Sequence, residues 1–460
     1  MTRGRRAHPP AHNPAPLLKN AYSLALNVIL TSALGLGFWI AAARIFPSST
    51  VGRDAALLAA MLTLSSICQL NMAVAIPRLL PIVRHRPERI VWGAYLLTAA
   101  VSILGAIAFV VIAPALSHGY RFLSTQPAMA LLFAAAVVVW GVFTLEDAVL
   151  TAARRAVWVP VENTIFGVLK IAALPLMLAV ASSHPVFIAW NAPVVALVIP
   201  VNVFIFLRVL RKPISASGTG SSPIERFGLR GLLAFLAQDY VAFVFVQACA
   251  GMLPVLVVAL LGGSAGAYFF MPFALVISFD SLFAYVLQPL TVEAALAEPR
   301  LPELSRVIVR HFGWLLIVGI IVLAAGASLI LAPYGASYAR HGAAVLRLLA
   351  FASLFRAITA LYVCMCRVEG RATRILSTQA ATFALLIVLV AVLAPTDGIV
   401  GVAVAWLVTS IVIAGANVGH VVAVLRRPLP DPPLPGAQVA AAAAPQSASA
   451  ADLASGKLLG

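Results

Sequence analysis

Charged residues are scarce in this sequence. They make up 10% of its 460 residues, whereas 62% are hydrophobic, and the mean hydropathy is +1.03. A soluble domain carries about 25% charged and about 45–50% apolar residues. The scarcity of charge therefore excludes a water-soluble globular protein and predicts a chain divided into membrane spans of about 20 residues each.

Cysteine is rare too, with four residues that all fall inside or at the ends of apolar runs: Cys68, Cys249, Cys364 and Cys366. Their number and spacing exclude a disulfide framework and a zinc site. We interpret them as small buried hydrophobic residues, and the sequence indicates no cofactor.

Motifs that carry catalysis are missing as well. The sequence has no glycine-rich phosphate loop, no nucleophile elbow and no paired carboxylates at catalytic spacing. The longest loop predicted on the outer side, 115–127, offers only His118, Tyr120 and Arg121. These absences argue against an enzyme and against a nucleotide-driven pump.

What the sequence does contain is long apolar runs, which predict an all-α, polytopic membrane protein of about twelve transmembrane helices. Most runs have 20 to 28 residues, enough to cross about 30 Å of hydrocarbon. The seventh is too long for one straight span, and we expect its start, 227–236, to lie at the membrane interface. The predicted spans are 20–43, 55–76, 91–114, 128–150, 161–181, 187–209, 232–262, 265–292, 312–332, 343–366, 375–394 and 398–425.

The basic residues predict the orientation of these spans. The net charge of +16 is carried by short clusters between apolar runs, a pattern typical of membrane topology rather than of nucleic-acid binding. With the N-terminus inside, 24 Lys and Arg fall on the inner side and 4 on the outer side. The positive-inside rule therefore predicts a multi-pass protein of the cell membrane with both termini in the cytoplasm.

A flexible-linker composition at 213–226 divides the spans into two sets of six. Weak likeness between the sets predicts a six-helix bundle over 20–212 and a second one over 227–425. Both would have the same orientation, so the pseudo-two-fold axis that relates them would run along the membrane normal. Residues 1–19 and the Ala- and Pro-rich tail 426–460 are predicted to be disordered.

Three segments of the first half resemble the polysaccharide flippases of the multidrug/oligosaccharidyl-lipid/polysaccharide exporter superfamily. The first is Ala42-Ala43-Arg44-Ile45-Phe46-Pro47-Ser48-Ser49-Thr50-Val51-Gly52, at the end of the first span. The second runs from Gln69 to Pro81, and the third from Leu145 through Arg154-Arg155 to Lys170. The resemblance covers residues 18 to about 425, through soft patterns of small and apolar residues.

This resemblance implies two helical bundles that face each other across a central cavity and open it alternately to either side. The expected cargo is a saccharide on a polyprenyl pyrophosphate, moved from the cytoplasmic to the outer leaflet. Expected partners are this lipid-linked saccharide, the bilayer and the polymerase or glycosyltransferases of surface polysaccharide biosynthesis.

Basic residues within the spans are the candidates for binding such an anionic cargo, since a charge in mid-bilayer costs at least ~2.5–3.5 kcal/mol. Lys170 and Arg356 lie near the middle of their spans, whereas Arg347 is close enough to the outer end to reach water. We expect Lys170 and Arg356 to face the cavity, with Asn71 and Arg78 as further candidates. Alternatively, Lys170 pairs with a carboxylate such as Asp280, and Asn71 and Gln69 bond neighbouring helices.

Acidic residues within the spans are candidates for ion coupling. Asp280 lies centrally in the eighth span and Asp239 near the inner end of the seventh. The alternative role for both is charge pairing with Lys170 or Arg356. Glu146, Asp147 and Glu162 are expected near inner helix ends, in solvated or capping roles.

Other functions remain open from the sequence. A multidrug exporter of the same superfamily is one alternative, although the first span carries no acid to receive a cationic drug. A membrane enzyme acting on lipid-linked sugars and a non-transporting scaffold are the others.

Overall fold

The computed structural model describes residues 15–80, 86–153, 155–180, 182–211, 223–296 and 301–427; for 15–29, 78–79, 116, 223–239, 283–286 and 288–296 it describes the backbone alone. Over these residues the fold is all-α, and no strand occurs. The predicted fold class, a polytopic helical membrane protein, is confirmed. The helices are α1 (Ala15–Ile45), α2 (Ser48–Cys68), α3 (Met72–Leu79), α4 (Pro87–Leu116), α5 (Phe122–Thr125), α6 (Pro127–Ala152), α7 (Trp158–Val180), α8 (Pro185–Phe204), α9 (Pro223–Leu261), α10 (Gly263–Leu296), α11 (Leu301–Ala325), α12 (Ala327–Leu331), α13 (Ala336–Val368) and α14 (Ala372–Arg426).

Ten helices in the described part of the chain are long and apolar enough to cross a membrane. The count differs from the predicted twelve mainly because α14 is 55 residues long. A straight helix of that length would measure about 80 Å, more than twice the hydrocarbon thickness. It bends at Gly398, whose φ of 58° and ψ of −137° suit only glycine, and Gly398 is where the sequence predicts a new span. The first predicted span lies in α1, which has 31 residues.

Two helices extend across predicted domain boundaries. The second half starts earlier than expected, because α9 begins at Pro223 within the predicted linker. Residues 15–19 belong to α1 rather than to a disordered segment. Residues 1–14, 213–222 and 428–460 lie outside the described part, so the linker and both tails stay predictions. Below, the N-terminal half denotes α1–α8 and the C-terminal half α9–α14.

The core lies between helices, and the outward faces are apolar. In α2, 67% of the residues in its most apolar window are buried, against 11% in α11, so α2 is central and α11 peripheral. Large side chains such as Trp92, Leu104 and Trp314 are more than half exposed on α4 and α11. In a membrane protein such apolar faces contact lipid. A helix is stable there because its backbone polar groups are bonded within the helix.

The two halves meet mainly where α2 packs against α9 and α10. Glycines allow the close approach: a Cβ on Gly52 would lie 1.8 Å from the Gly263 carbonyl oxygen, and one on Gly251 would lie 1.5 Å from the Thr63 hydroxyl. We call the contact of α2 with α9 and α10 the α2 seam. At its other end, the Tyr240 hydroxyl donates to the Ile67 carbonyl at 2.7 Å. Small residues at such contacts are typical of membrane helices, which associate through close packing.

Polar contacts close the end that the sequence predicts to be outside, here called the outer end. Arg44 donates to the carbonyl oxygens of Pro333 and Ala332, at 2.7 and 3.1 Å. The Ser117 hydroxyl donates to the Ala259 carbonyl at 2.9 Å, and the Tyr120 hydroxyl donates to the Val255 carbonyl at 3.1 Å. Each of these bonds joins the N-terminal to the C-terminal half, so together they hold the outer end shut.

A methyl group at position 52 should open this end. Gly52→Ala places its Cβ against the α10 backbone, which cannot move aside as a side chain could, at a cost of about 1–3 kcal/mol for the closed arrangement. We expect faster labelling by an impermeant maleimide of a reporter cysteine at the buried position Val258, with the native cysteines removed. The control is Gly93→Ala, whose Cβ meets no atom within 4 Å; equal labelling rates in the two variants would contradict the expectation.

Candidate functional site

A cavity of about 320 Å³ lies within the C-terminal half. Ligand pockets commonly measure about 300–1,000 Å³. Its walls come from α9, α10, α11, α13 and α14. Its polar lining consists of Asp280, Ser353, Arg356, Thr359, Arg367, Gln379, Thr382 and Ser410, and Cys249, Cys364 and Trp406 also line it.

An ion pair between Arg356 and Asp280 is the main electrostatic feature of this cavity. The Arg356 Nε donates to Asp280 Oδ2 at 2.6 Å, and the guanidinium lies 4.6 Å from the Trp406 ring centroid. The Arg356 side chain is 32% exposed and that of Asp280 13% exposed. The guanidinium therefore retains free donors toward the cavity, while Asp280 is largely neutralised. Of the two alternatives for Asp280, the structure contains the charge pair.

Lys170 lies apart from the C-terminal cavity. It lies in the N-terminal half, is 5% exposed, and is not among the lining residues of the C-terminal cavity. Its Nζ lies 3.7, 4.7 and 5.4 Å from the ring centroids of Trp190, Phe166 and Phe38. We call these three rings and the ammonium group between them the Lys170 cage. Lys170 and Arg356 therefore do not share the described cavity.

The Lys170 cage explains how the protein tolerates a buried cation. Ring faces attract an ammonium group, by about 2 kcal/mol or more for each favourable contact when water is excluded. No carboxylate among the described side chains forms an ion pair with Lys170. The alternative pairing of Lys170 with Asp280 does not occur, because Asp280 bonds Arg356. The cage leaves the positive charge without an anion.

The other predicted site residues have separate positions. Asn71 lies between α2 and α3 with φ of 62°, and its Nδ2 is buried without a hydrogen-bond partner. Gln69 donates to the Gly141 carbonyl and to Thr144 on α6, the inter-helix role expected for it. The side chains of Arg78 and Asp239 lie outside the described residues, so their roles stay predictions.

Sequence reasoning missed the role of one acidic residue, Asp54, and misplaced two others, Glu146 and Glu162. Asp54 is fully buried; its carboxylate contacts His184 Nδ1 at 2.7 Å and accepts bonds from the backbone N–H groups of Val186 and Phe187. It thereby satisfies the N-terminal donors of α8. Glu146 and Glu162 were expected in water, but they are 0% and 5% exposed, so that expectation is wrong.

Comparison with known proteins identifies the fold. No family model matches the sequence, and no curated protein matches it. Among solved structures, the lipid II flippase MurJ in an inward closed conformation matches with a TM-score of 0.64 and 13% identity, over 88% of this chain and 87% of that one. An inward-facing multidrug resistance MATE family transporter of the MOP superfamily matches with a TM-score of 0.60 and 13% identity, over 88% and 98%.

A third structure carries the same fold: a MOP superfamily transporter from Pyrococcus furiosus, described as having a binding pocket of reverse polarity that suggests a different function. Its TM-score is 0.56 at 12% identity, over 90% of this chain and 96% of that one. The chain therefore has the fold of the MOP superfamily transporters and is a multi-pass membrane protein. At such low identity, the likeness extends to the fold alone.

Loss of Arg356 should leave Asp280 unpaired. We expect Arg356→Ala to lower the free energy of unfolding of the detergent-solubilised protein by about 1–3 kcal/mol. This is the cost of a buried polar group without its partner. The double variant Arg356→Ala/Asp280→Ala should recover part of that loss. Arg347→Ala on the same helix is the control, because Arg347 is exposed and bonds one carbonyl, that of Ala324. Equal losses in the two single variants would contradict this prediction.

Proposed function

We propose that the protein is a flippase that moves a polyprenyl-pyrophosphate-linked saccharide from the cytoplasmic to the outer leaflet by alternating access. The observation that carries the proposal is the Lys170 cage, a buried cation that no described carboxylate neutralises. A pyrophosphate would supply the missing negative charge, and an ammonium group binds phosphate as a point charge.

The arrangement of the halves supports alternating access. The described polar contacts between the halves at the outer end involve Arg44, Ser117 and Tyr120, and toward the inner end Tyr240 of α9 bonds Ile67 of α2. Two of the matching structures are described as inward-facing or inward closed. A state with the outer end closed is the one that would receive cargo from the cytoplasmic leaflet.

Arg356 and Lys170, basic residues near the middle of their helices, favour an anionic cargo over a cationic drug. In the cavity, Asp280 is bonded to Arg356, and the guanidinium is the more exposed partner. In the N-terminal half, Lys170 is the buried charge at mid-span. The multidrug MATE transporters share the fold, so cationic drug extrusion is the alternative that the experiment must separate.

Replacing Lys170 by a neutral side chain of similar length should abolish transport without unfolding the protein. The assay uses proteoliposomes that contain a short-chain polyprenyl pyrophosphate with a fluorescent sugar, and an impermeant reductant measures the fraction in the outer leaflet. Loss of a charge-assisted phosphate contact of about 1.5–3 kcal/mol predicts flipping reduced about tenfold to a hundredfold in Lys170→Met.

Two controls define the result. Lys170→Arg keeps the charge and should keep part of the activity, and Arg347→Ala should flip normally. Wild-type protein that leaves this lipid in place but exports a cationic dye would overturn the flippase proposal in favour of multidrug extrusion. Normal flipping by Lys170→Met would remove Lys170 from the proposed mechanism.

A further inference from the structure

The cavity of the C-terminal half is lined by hydrogen-bond donors that its ion pair does not use. Arg356 bonds Asp280 through Nε, and its two terminal nitrogens donate to no described residue. The Gln379 amide, on the neighbouring helix α14, forms no hydrogen bond with a described residue either. The indole N–H of Trp406, in the cavity wall, is buried without a partner. A ligand in the cavity would therefore meet several free donors.

Four hydroxyl groups of the lining have the opposite character. Each donates its proton to the carbonyl oxygen four residues earlier in its own helix, at 3.5, 3.2, 2.7 and 2.8 Å for Ser353, Thr359, Thr382 and Ser410. A hydroxyl has a single proton to donate, so these four groups can only accept from a ligand. Asp280 Oδ1 accepts no bond from a described residue and adds a further acceptor.

This combination of donors and acceptors selects the chemistry of a ligand. A phosphate or carboxylate group brings acceptors only, so it would leave the hydroxyl oxygens without donors and would lie close to the Asp280 carboxylate. A cation would lie close to the Arg356 guanidinium. A hydroxyl group both donates and accepts and carries no charge, so it can bond either kind of wall group. A sugar carries several hydroxyl groups on one small ring.

We propose that this cavity binds the saccharide part of the cargo, while its pyrophosphate binds at the Lys170 cage. The assignment deepens the proposed function and rests on it. The cavity volume of about 320 Å³ is at the lower end for ligand pockets, which suits a single sugar unit rather than a long oligosaccharide. Arg356, Asp280, Gln379 and Thr382 are then the residues that determine which sugar is accepted.

The depth of the two places in the membrane supports a cargo that contacts both. Lys170 is twelve residues from the first residue of α7, and Arg356 is twelve residues from the last residue of α13. Both of these helix ends are predicted to be inside. At 1.5 Å per residue, each side chain originates about 18 Å along its helix from the inner end. A cargo held between the halves would therefore meet the cation and the cavity at similar depth.

Saturation-transfer NMR on the full-length protein in nanodiscs tests the binding, with free glucose, galactose, N-acetylglucosamine and rhamnose as probes. We expect at least one of these neutral sugars to bind. In Thr382→Val its Kd should rise about twofold to tenfold, because a methyl group of the same size replaces the accepting oxygen. Gln379→Leu, which removes a donor and an acceptor, should weaken binding by at least as much.

The matched control is Thr396→Val, the same substitution at an exposed position of the same helix, which should bind as the wild type does. Inorganic pyrophosphate should leave the sugar signal unchanged. Absence of binding for all four sugars would overturn the proposal. Equal affinities in Thr382→Val, Gln379→Leu and Thr396→Val would also overturn it, as would displacement of the sugar by pyrophosphate.

Binding of a free sugar requires no transport, and this separates the present proposal from the proposed function. Lys170→Met should bind the sugar normally although it flips little lipid. Sugar binding by a wild-type protein that flips no lipid would overturn the flippase proposal and retain the sugar site. Flipping of the fluorescent lipid at the wild-type rate by Thr382→Val/Gln379→Leu would overturn the role of the cavity in transport.

Discussion

The cost of burying charge is the constraint on which the rest of this structure depends. In an interior of low polarity an isolated ion costs far more than any single contact returns, so each buried charge requires a specific arrangement around it. The described side chains include three examples of such arrangements. Arg356 and Asp280 neutralise each other, Asp54 accepts from His184 and the first N–H groups of α8, and Lys170 lies against three aromatic rings.

The two halves differ in the charged residues that they contain and in how these are arranged. Of the charged residues that line the cavity in the C-terminal half, Arg356 and Asp280 form an ion pair, and Arg367 is the third. In the N-terminal half, α7 carries Lys170 and Glu162, eight residues or about 12 Å apart, and α6 carries Glu146. Phe143 and Phe166 pack together, with ring centroids 5.5 Å apart, on the helices that carry these groups.

The sequence was sufficient for the fold class and insufficient for the site, for physical reasons. Apolar runs and a glycine at position 398 locate the helices and the bend in α14, because hydropathy and backbone freedom are local properties. The surroundings of Lys170 could not be predicted from the sequence, since ring positions on α1, α7 and α8 decide them. Glu146 and Glu162 are 16 residues apart on different helices, and their burial follows only from packing. A local signal for the cage is the basic residue four positions after Phe166, because residues four apart are neighbours on a helix surface.

The connection between α9 and α10 is a single residue, Gly262, with φ of 89°. Two helices of 39 and 34 residues joined so tightly have little freedom to change their mutual angle, and α2 touches both. Because α2 packs against both helices beside Gly52, any separation of the two halves at the outer end has to break the contacts of α9 and of α10 with the same helix.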